Sequence, residues 1–168
     1  MDERLGLIFA RRSIRKYASD PVSEKDIQAL LEAAAAAPSA NNGRPWQFVA
    51  VTERTTLDKL GEMHPYGKML LEAPLCIAVC ADASRSPRHW VQDCAAATQN
   101  ILLAATAMNL GSVWLGCHPN DERKGTAREL LGIPNSIEVF SLVCVGYAGE
   151  RKEPRTQLEP FMVHRERW

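Results

Sequence analysis

The stretch from Arg88 to Asn109 constrains this chain more than any other. Val91, Cys94, Ala95, Thr98, Ile101, Leu102, Ala105 and Met108 recur there at helical spacing, and the intervening faces are again rich in alanine. A helix that is apolar most of the way round cannot lie on a solvated surface; it belongs in the middle of a core or an interface. Gly111, just beyond it, is expected to close it as a C-cap glycine. A second stretch, Leu75–Ala81 (LCIAVCA), is a near-continuous apolar run of strand length and predicts a buried central strand. In a chain of 168 residues these two segments fit a single core.

The remaining elements arrange themselves around that pair. Ser23 follows Pro21 as a good N-cap, and Asp26 takes the acidic place of a capping box. Ile27, Leu30, Leu31, Ala34 and Ala35 then continue at helical spacing until Pro38, with Ala33–Ala37 small enough for close packing. Leu5, Ile8 and Phe9 predict a short first helix ending at Arg11 and Arg12. Strands are predicted at Gln47–Thr52, Ser112–Leu115 and Ile137–Tyr147, and helices at Leu57–Met63 and Asp121–Leu131, the latter closed by Gly132 and Pro134. Helices bracket four strands without an even βαβ rhythm, which predicts an α+β domain with a central mixed or antiparallel sheet. Residues 151–168 differ: they are highly charged, yet carry Leu158, Phe161, Met162, Val163 and Trp168 without periodicity. That composition predicts an arm laid over another surface. The expected organisation is one domain, 1–168, with 151–168 as the arm.

Charge excludes some functions. With 20 basic and 20 acidic residues there is no basic excess, and no aromatic platform is interleaved with the cations, so nucleic-acid binding is not expected. No apolar run reaches the roughly 18 residues of a membrane span, and the acidic start with its short apolar stretch does not read as a signal peptide. A cytoplasmic location is expected. The five cysteines, an odd number, fit that compartment and are read as packing residues. Cys76 and Cys80 lie roughly 13 Å apart along one strand, too far for a disulfide. Cys117, in a turn before Pro119, is the one to watch. His64, His89, His118 and His164 are widely spaced and form no metal signature.

Four segments can carry chemistry. Arg11-Arg12-Ser13-Ile14-Arg15-Lys16-Tyr17 puts four cations and a hydroxyl within six residues, a phosphate cradle or else a solvated basic helix end. Pro38-Ser39-Ala40-Asn41-Asn42-Gly43-Arg44-Pro45-Trp46 is a conformationally restricted loop that holds a ligand or is simply a structured turn. In Asn109–Cys117, Gly116 lets a backbone approach a flat ligand; the plainer reading is a helix cap and an edge strand. Gly146-Tyr147-Ala148-Gly149-Glu150-Arg151-Lys152 ends a buried strand with two glycines and two cations.

RRSIRKY, PSANNGRPW, NLGSVWLG and GYAGERKEP, in this order and spacing, resemble the FMN-dependent nitroreductase family. The resemblance covers essentially the whole chain, including Gln99-Asn100 on the long helix and the LLGIP segment. The chain looks like a short member, because only about seven residues separate the central strand from the long helix. The resemblance implies a nitroreductase-like intertwined homodimer with FMN at the subunit interface and NADH or NADPH as reductant. It implies that Arg11, Arg12, Ser13 and Arg15 bind the phosphate and ribityl end, with Lys152 and Arg151 closing on the phosphate. Pro38, Ser39, Ala40 and Asn42 would come from the partner subunit. Leu115 and Gly116 would lie along the flavin ring edge, the Leu115 main-chain N–H reaching N5. Two departures stand out: some larger relatives have an acid at Leu115, and the related loop often has Gln at Arg44. The implied activity is electron transfer from NAD(P)H to a small acceptor such as a nitroaromatic or a quinone. A different flavin redox chemistry on the same fold, or a non-catalytic flavin carrier, remains the alternative.

Overall fold

The computed structural model describes residues 2–168. Its elements run α1 Gly6–Ala10, α2 Glu24–Ala35, β1 Trp46–Val51, α3 Arg54–Met63, β2 Leu75–Ala81, α4 Trp90–Ala107, β3 Leu110–Gly116, α5 Asp121–Leu131 and β4 Glu138–Tyr147. The four strands form one sheet in the order β1-β2-β4-β3, and every neighbouring pair is antiparallel. The fold is therefore α+β with an antiparallel sheet.

Antiparallel strands usually alternate because one face meets water. Here β2 is buried at all seven positions because helices cover both faces. Cys76, Ala78 and Cys80 point to the side that holds Leu57 and Leu60 of α3 and Ala127 of α5. Leu75, Ile77, Val79 and Ala81 point to the other side, against Leu30 and Ala34 of α2 and Cys94, Ala97 and Ile101 of α4. An extra residue on β4, Phe140, interrupts the register opposite Val79 and Cys80. Its ring then joins the α4 side, edge-on to Trp90 and close to Trp114.

The local signals act much as expected. Ser23 Oγ accepts the Asp26 N–H at 3.1 Å and donates to the Asp26 carboxylate at 2.8 Å, so Asp26 holds the cap hydroxyl rather than reaching back to the backbone. Gly132 closes α5 with φ 63°. Gly111, however, is not the cap of α4. The left-handed residue is Asn109, with φ 59°, and Gly111 already lies inside β3. Its missing side chain serves packing instead: a Cβ there would stand 2.7 Å from Ile14 Cγ2. The same shift lengthens β3 beyond the predicted Ser112–Leu115.

The five cysteines are free and buried. Burial pushes the Cys117 thiol up to about 11, with the nearby Arg123 charge working weakly the other way. Among the described residues no helix is long and apolar enough to cross a membrane.

Candidate functional site

The site gathers along the free edge of β3. After α1, Arg11–Tyr17 runs extended beside the sheet rather than continuing as a basic helix. The Ile14 N–H donates to Ser112 O at 3.0 Å, and the Ala18 N–H to Tyr147 O at 2.9 Å. Beyond β4 the chain returns over this segment. Lys152 Nζ donates to Ser13 O at 2.6 Å and pairs with Glu150 at 3.1 Å, while Glu150 also accepts the Arg15 N–H at 2.6 Å. These contacts hold the Glu150 carboxyl below the usual range, the Arg15 N–H first. Arg12 donates to the Glu153 carbonyl, and the Arg155 N–H donates to Phe9 O at 3.1 Å.

Arg11, Arg12 and Arg155 are thereby brought close together. Burial, then the charge of Arg155, then that of Arg12, lowers the pKa of Arg11. Among the described residues none of the three has a carboxylate within salt-bridge distance. Cations held together in this way are able to bind an anion by charge-assisted hydrogen bonds. Arg155 was not among the residues singled out from sequence, although its position three residues past Lys152 in an extended segment was a usable signal. Lys152 is a brace between the two segments, and Arg151 points to solvent with Glu153 3.8 Å away. Arg12, Arg151 and Lys152 still line a cleft of about 310 Å³, together with Glu150 and with Asn109 and Gly111 at the start of β3.

At the other end of β3 a cleft of about 340 Å³ is lined by Val113–Gly116, Arg15, His64, Tyr66, His118 and Arg123. Successive residues of an antiparallel strand turn their N–H and C=O alternately toward and away from the neighbouring strand. Ser112 faces away, since its carbonyl accepts from Ile14; Cys117 faces β4, its N–H donating to Phe140 O at 3.1 Å. Between them, Val113 and Leu115 face β4, whereas Trp114 and Gly116 present their polar groups at the free edge. The N–H assigned to Leu115 from sequence is thus turned into the sheet, and the outward one of the pair belongs to Gly116. The Leu115 side chain is buried in the core.

The Gly116 carbonyl is clamped. Tyr66 N–H donates to His64 Nδ1 at 3.1 Å, so His64 carries its proton on Nε2 and donates it to Gly116 O at 3.0 Å. Burial lowers the His64 pKa, opposed by the Gly116 bond and reinforced by Arg123, which keeps the ring neutral. The structure makes His64, one of the four widely spaced histidines, the holder of the strand end.

Pro38, Ser39, Ala40 and Asn42 lie elsewhere, and the cleft of this chain does not include them. Their loop is set by Asp93, a buried carboxylate in the first turn of α4 that accepts the Ala40 N–H at 2.9 Å and the Ser86 hydroxyl at 2.6 Å. Asn41, Asn42 and Arg44 all have positive φ, near 51°, 54° and 43°. Strain of this kind, of order 1–3 kcal/mol per residue, gathers where a ligand or partner needs a fixed backbone. Asp93 was missed from sequence, although a lone acid between Val91 and Cys94 in an apolar stripe was visible.

The structure thus sets the outward-facing edge of β3 beside the arginines of the N-terminal segment and the chain returning past β4. Comparison with known proteins then specifies the family. The model of the Nitroreductase family matches residues 8–64 and 61–147. A candidate NADH dehydrogenase/NAD(P)H nitroreductase of Archaeoglobus fulgidus is 48% identical over 174 residues, covering 100% of both chains. An FMN-dependent nitroreductase structure from Clostridium difficile superposes with TM-score 0.92 at 29% identity, covering 98% of this chain and 99% of that one. A candidate nitroreductase in complex with FMN from Desulfovibrio desulfuricans gives TM-score 0.85 at 28% identity, covering 100% and 99%. The chain belongs to the Nitroreductase family.

Proposed function

We propose that this chain binds FMN as a homodimer and passes electrons from NADH or NADPH to a small acceptor such as a nitroaromatic or a quinone. The observation that carries the reading is the free edge of β3, where the Trp114 and Gly116 N–H groups open onto a cleft that also holds Arg15. A flavin edge presents hydrogen-bond acceptors at N5 and O4 and a donor at N3, a set that an unpaired strand edge complements. A Cβ on Gly116 would meet nothing of its own chain closer than 3.8 Å, so the space beside this peptide is left for something else. Arg11, Arg12 and Arg155 match one terminal phosphate, and no GxGxxG turn is present to receive the pyrophosphate of FAD.

When bound, FMN supplies the redox chemistry, accepting a hydride from NAD(P)H and passing electrons to the acceptor. The chain supplies position. Arg11, Arg12 and Arg155 hold the phosphate, with Ser13 and Arg15 on the ribityl and ring side. Lys152 fixes the segment that carries them. Gly116 offers its N–H at the ring edge, and His64 prevents that peptide from turning. The partner subunit's Pro38, Ser39, Ala40 and Asn42 complete the site from across the dimer. The arm 151–168 covers the other subunit, which accounts for Leu158, Phe161, Met162 and Trp168 being exposed in the single chain. Leu5, Leu7 and Ile8 of the N-terminal segment are exposed as well. So much apolar surface favours an obligate interface, on the order of 2,000 Å² or more.

The absorption spectrum of the purified protein, followed by identification of the flavin released on denaturation, tests the reading. FMN in stoichiometric amount and oxidation of NAD(P)H with added acceptor are expected. Stoichiometric FAD rejects the cofactor assignment, a stable flavin-loaded monomer in sedimentation rejects the dimer, and bound FMN without turnover leaves the flavin-carrier reading.

A further inference from the structure

Arg123, in the first turn of α5, is a half-buried residue that lines the β3 cleft. Asp121 and Glu138 are committed elsewhere. Lys124 takes Asp121 at 2.9 Å and Glu138 at 3.3 Å. Among the described residues Arg123 has no carboxylate within salt-bridge distance. Its side-chain bond is a long one, 3.4 Å from Nη1 to the Gly116 carbonyl, which His64 already occupies at better geometry. A guanidinium has five N–H donors, so most of its capacity remains unused. The cleft lining contains no carboxylate at all, and its second cation, Arg15, is committed to the cofactor in the reading above. Tyr66 stands on the same cleft, a residue 72% exposed whose ring is an aromatic surface against which a flat ring can stack.

We propose that Arg123 selects aromatic acceptors bearing a carboxylate, binding that group by charge-assisted hydrogen bonds while Tyr66 lies along the ring. The inference rests on the cleft being where the acceptor meets the flavin. A bidentate guanidinium–carboxylate pair has a directional requirement that ammonium does not satisfy, so lysine is a partial substitute only.

The experiment uses the protein as purified, with benzoate and benzamide as non-reducible probes and 4-nitrobenzoate and 4-nitrobenzamide as acceptors. Calorimetric titration should show benzoate binding more tightly than benzamide. Arg123→Gln should weaken benzoate about 10- to 100-fold and Arg123→Lys by less, with benzamide little affected. The ratio of kcat/KM for 4-nitrobenzoate over 4-nitrobenzamide should fall about tenfold or more in Arg123→Gln; being a ratio, it is insensitive to general loss of folded enzyme. Unchanged benzoate affinity in a variant of normal Tm overturns the proposal, as does equal weakening of benzamide. An effect confined to NADPH relative to NADH also overturns it, because the anion is then the nucleotide phosphate. If no acceptor is reduced while benzoate binding still depends on Arg123, the oxidoreductase reading fails and the anion site stands.

Discussion

Gly116→Ala separates what the fold needs from what the ligand needs. The nearest atom to a Cβ at this position is His118 O at 3.8 Å, an ordinary van der Waals contact, and Gly116 is not among the glycines with positive φ. The added methyl therefore leaves the chain unstrained and removes freedom from the unfolded state, which places the stability change between zero and about 1 kcal/mol in favour of the variant. A flat ring seated on the outward Gly116 N–H meets that methyl directly. Overpacking of this kind costs about 1–3 kcal/mol, or about 5- to 150-fold in Kd. Leu115→Ala is the mirror image: it deletes a buried side chain at a cost of about 2–4 kcal/mol while leaving the edge N–H groups in place. Thermal melts followed by circular dichroism, and titration of the apoproteins with FMN by fluorescence quenching, read the two quantities separately. Unchanged FMN affinity in Gly116→Ala would refute the placement of the ring edge. A lowered Tm in that variant would show that the glycine serves the fold instead.

Arg11→Ala and Arg155→Ala should each weaken FMN by about tenfold or more, measured by equilibrium dialysis, with activity returning in excess FMN; undiminished retention in Arg155→Ala would remove it from the phosphate site. Asp93→Ala strands the Ala40 N–H and the Ser86 hydroxyl, so it should cost about 2–4 kcal/mol in urea unfolding and speed hydrogen exchange in residues 39–44. Cys117→Ala should keep hydride transfer within several-fold of wild type in stopped-flow, because burial holds that thiol protonated; loss of flavin reduction with FMN still bound would place it in the mechanism. Glu53 caps α3 by accepting from the Thr55 hydroxyl and from the N–H groups of Thr55 and Thr56, which pulls its carboxyl down to about 2 from an ordinary 4.5. A depressed folded-state value gives stability that is complete above the unfolded value and disappears as pH falls from about 4.5 toward 2. Glu53→Gln should accordingly lower Tm at pH 7, with the gap to wild type closing across that acidic window.

Much of the fold was legible in the sequence because its signals are local. The spacing of Ile27, Leu30 and Ala34, the Ser23 cap and the Asp121–Leu131 helix with its Gly132 stop depend on neighbours within a few residues, and they appear where predicted. The unbroken apolarity of Leu75–Ala81 required a strand covered on both faces, and the sheet order puts it there. Asn109 and Gly111 show the limit. Both residue types tolerate positive φ, and only the approach of Ile14 to β3 decides that the glycine is needed for packing while the asparagine makes the turn.

The sequence by itself determined which residue types are present: a cluster of arginines without nearby acids, a glycine in an edge strand, and a restricted Asn-rich loop. The tertiary structure alone decided how they divide the work. Antiparallel register turns the Gly116 N–H outward and the Leu115 N–H inward, and a shift of one residue would reverse them. The return of the chain past β4 brings Arg155 beside Arg11 and employs Lys152 as a brace, although all three read alike as basic residues. Asp93 holds a loop 53 positions away in sequence, and His64 holds a strand end 52 positions away. Such pairings depend on how separate elements pack, and a hydrogen bond between distant residues leaves no periodicity or cap for the sequence to display.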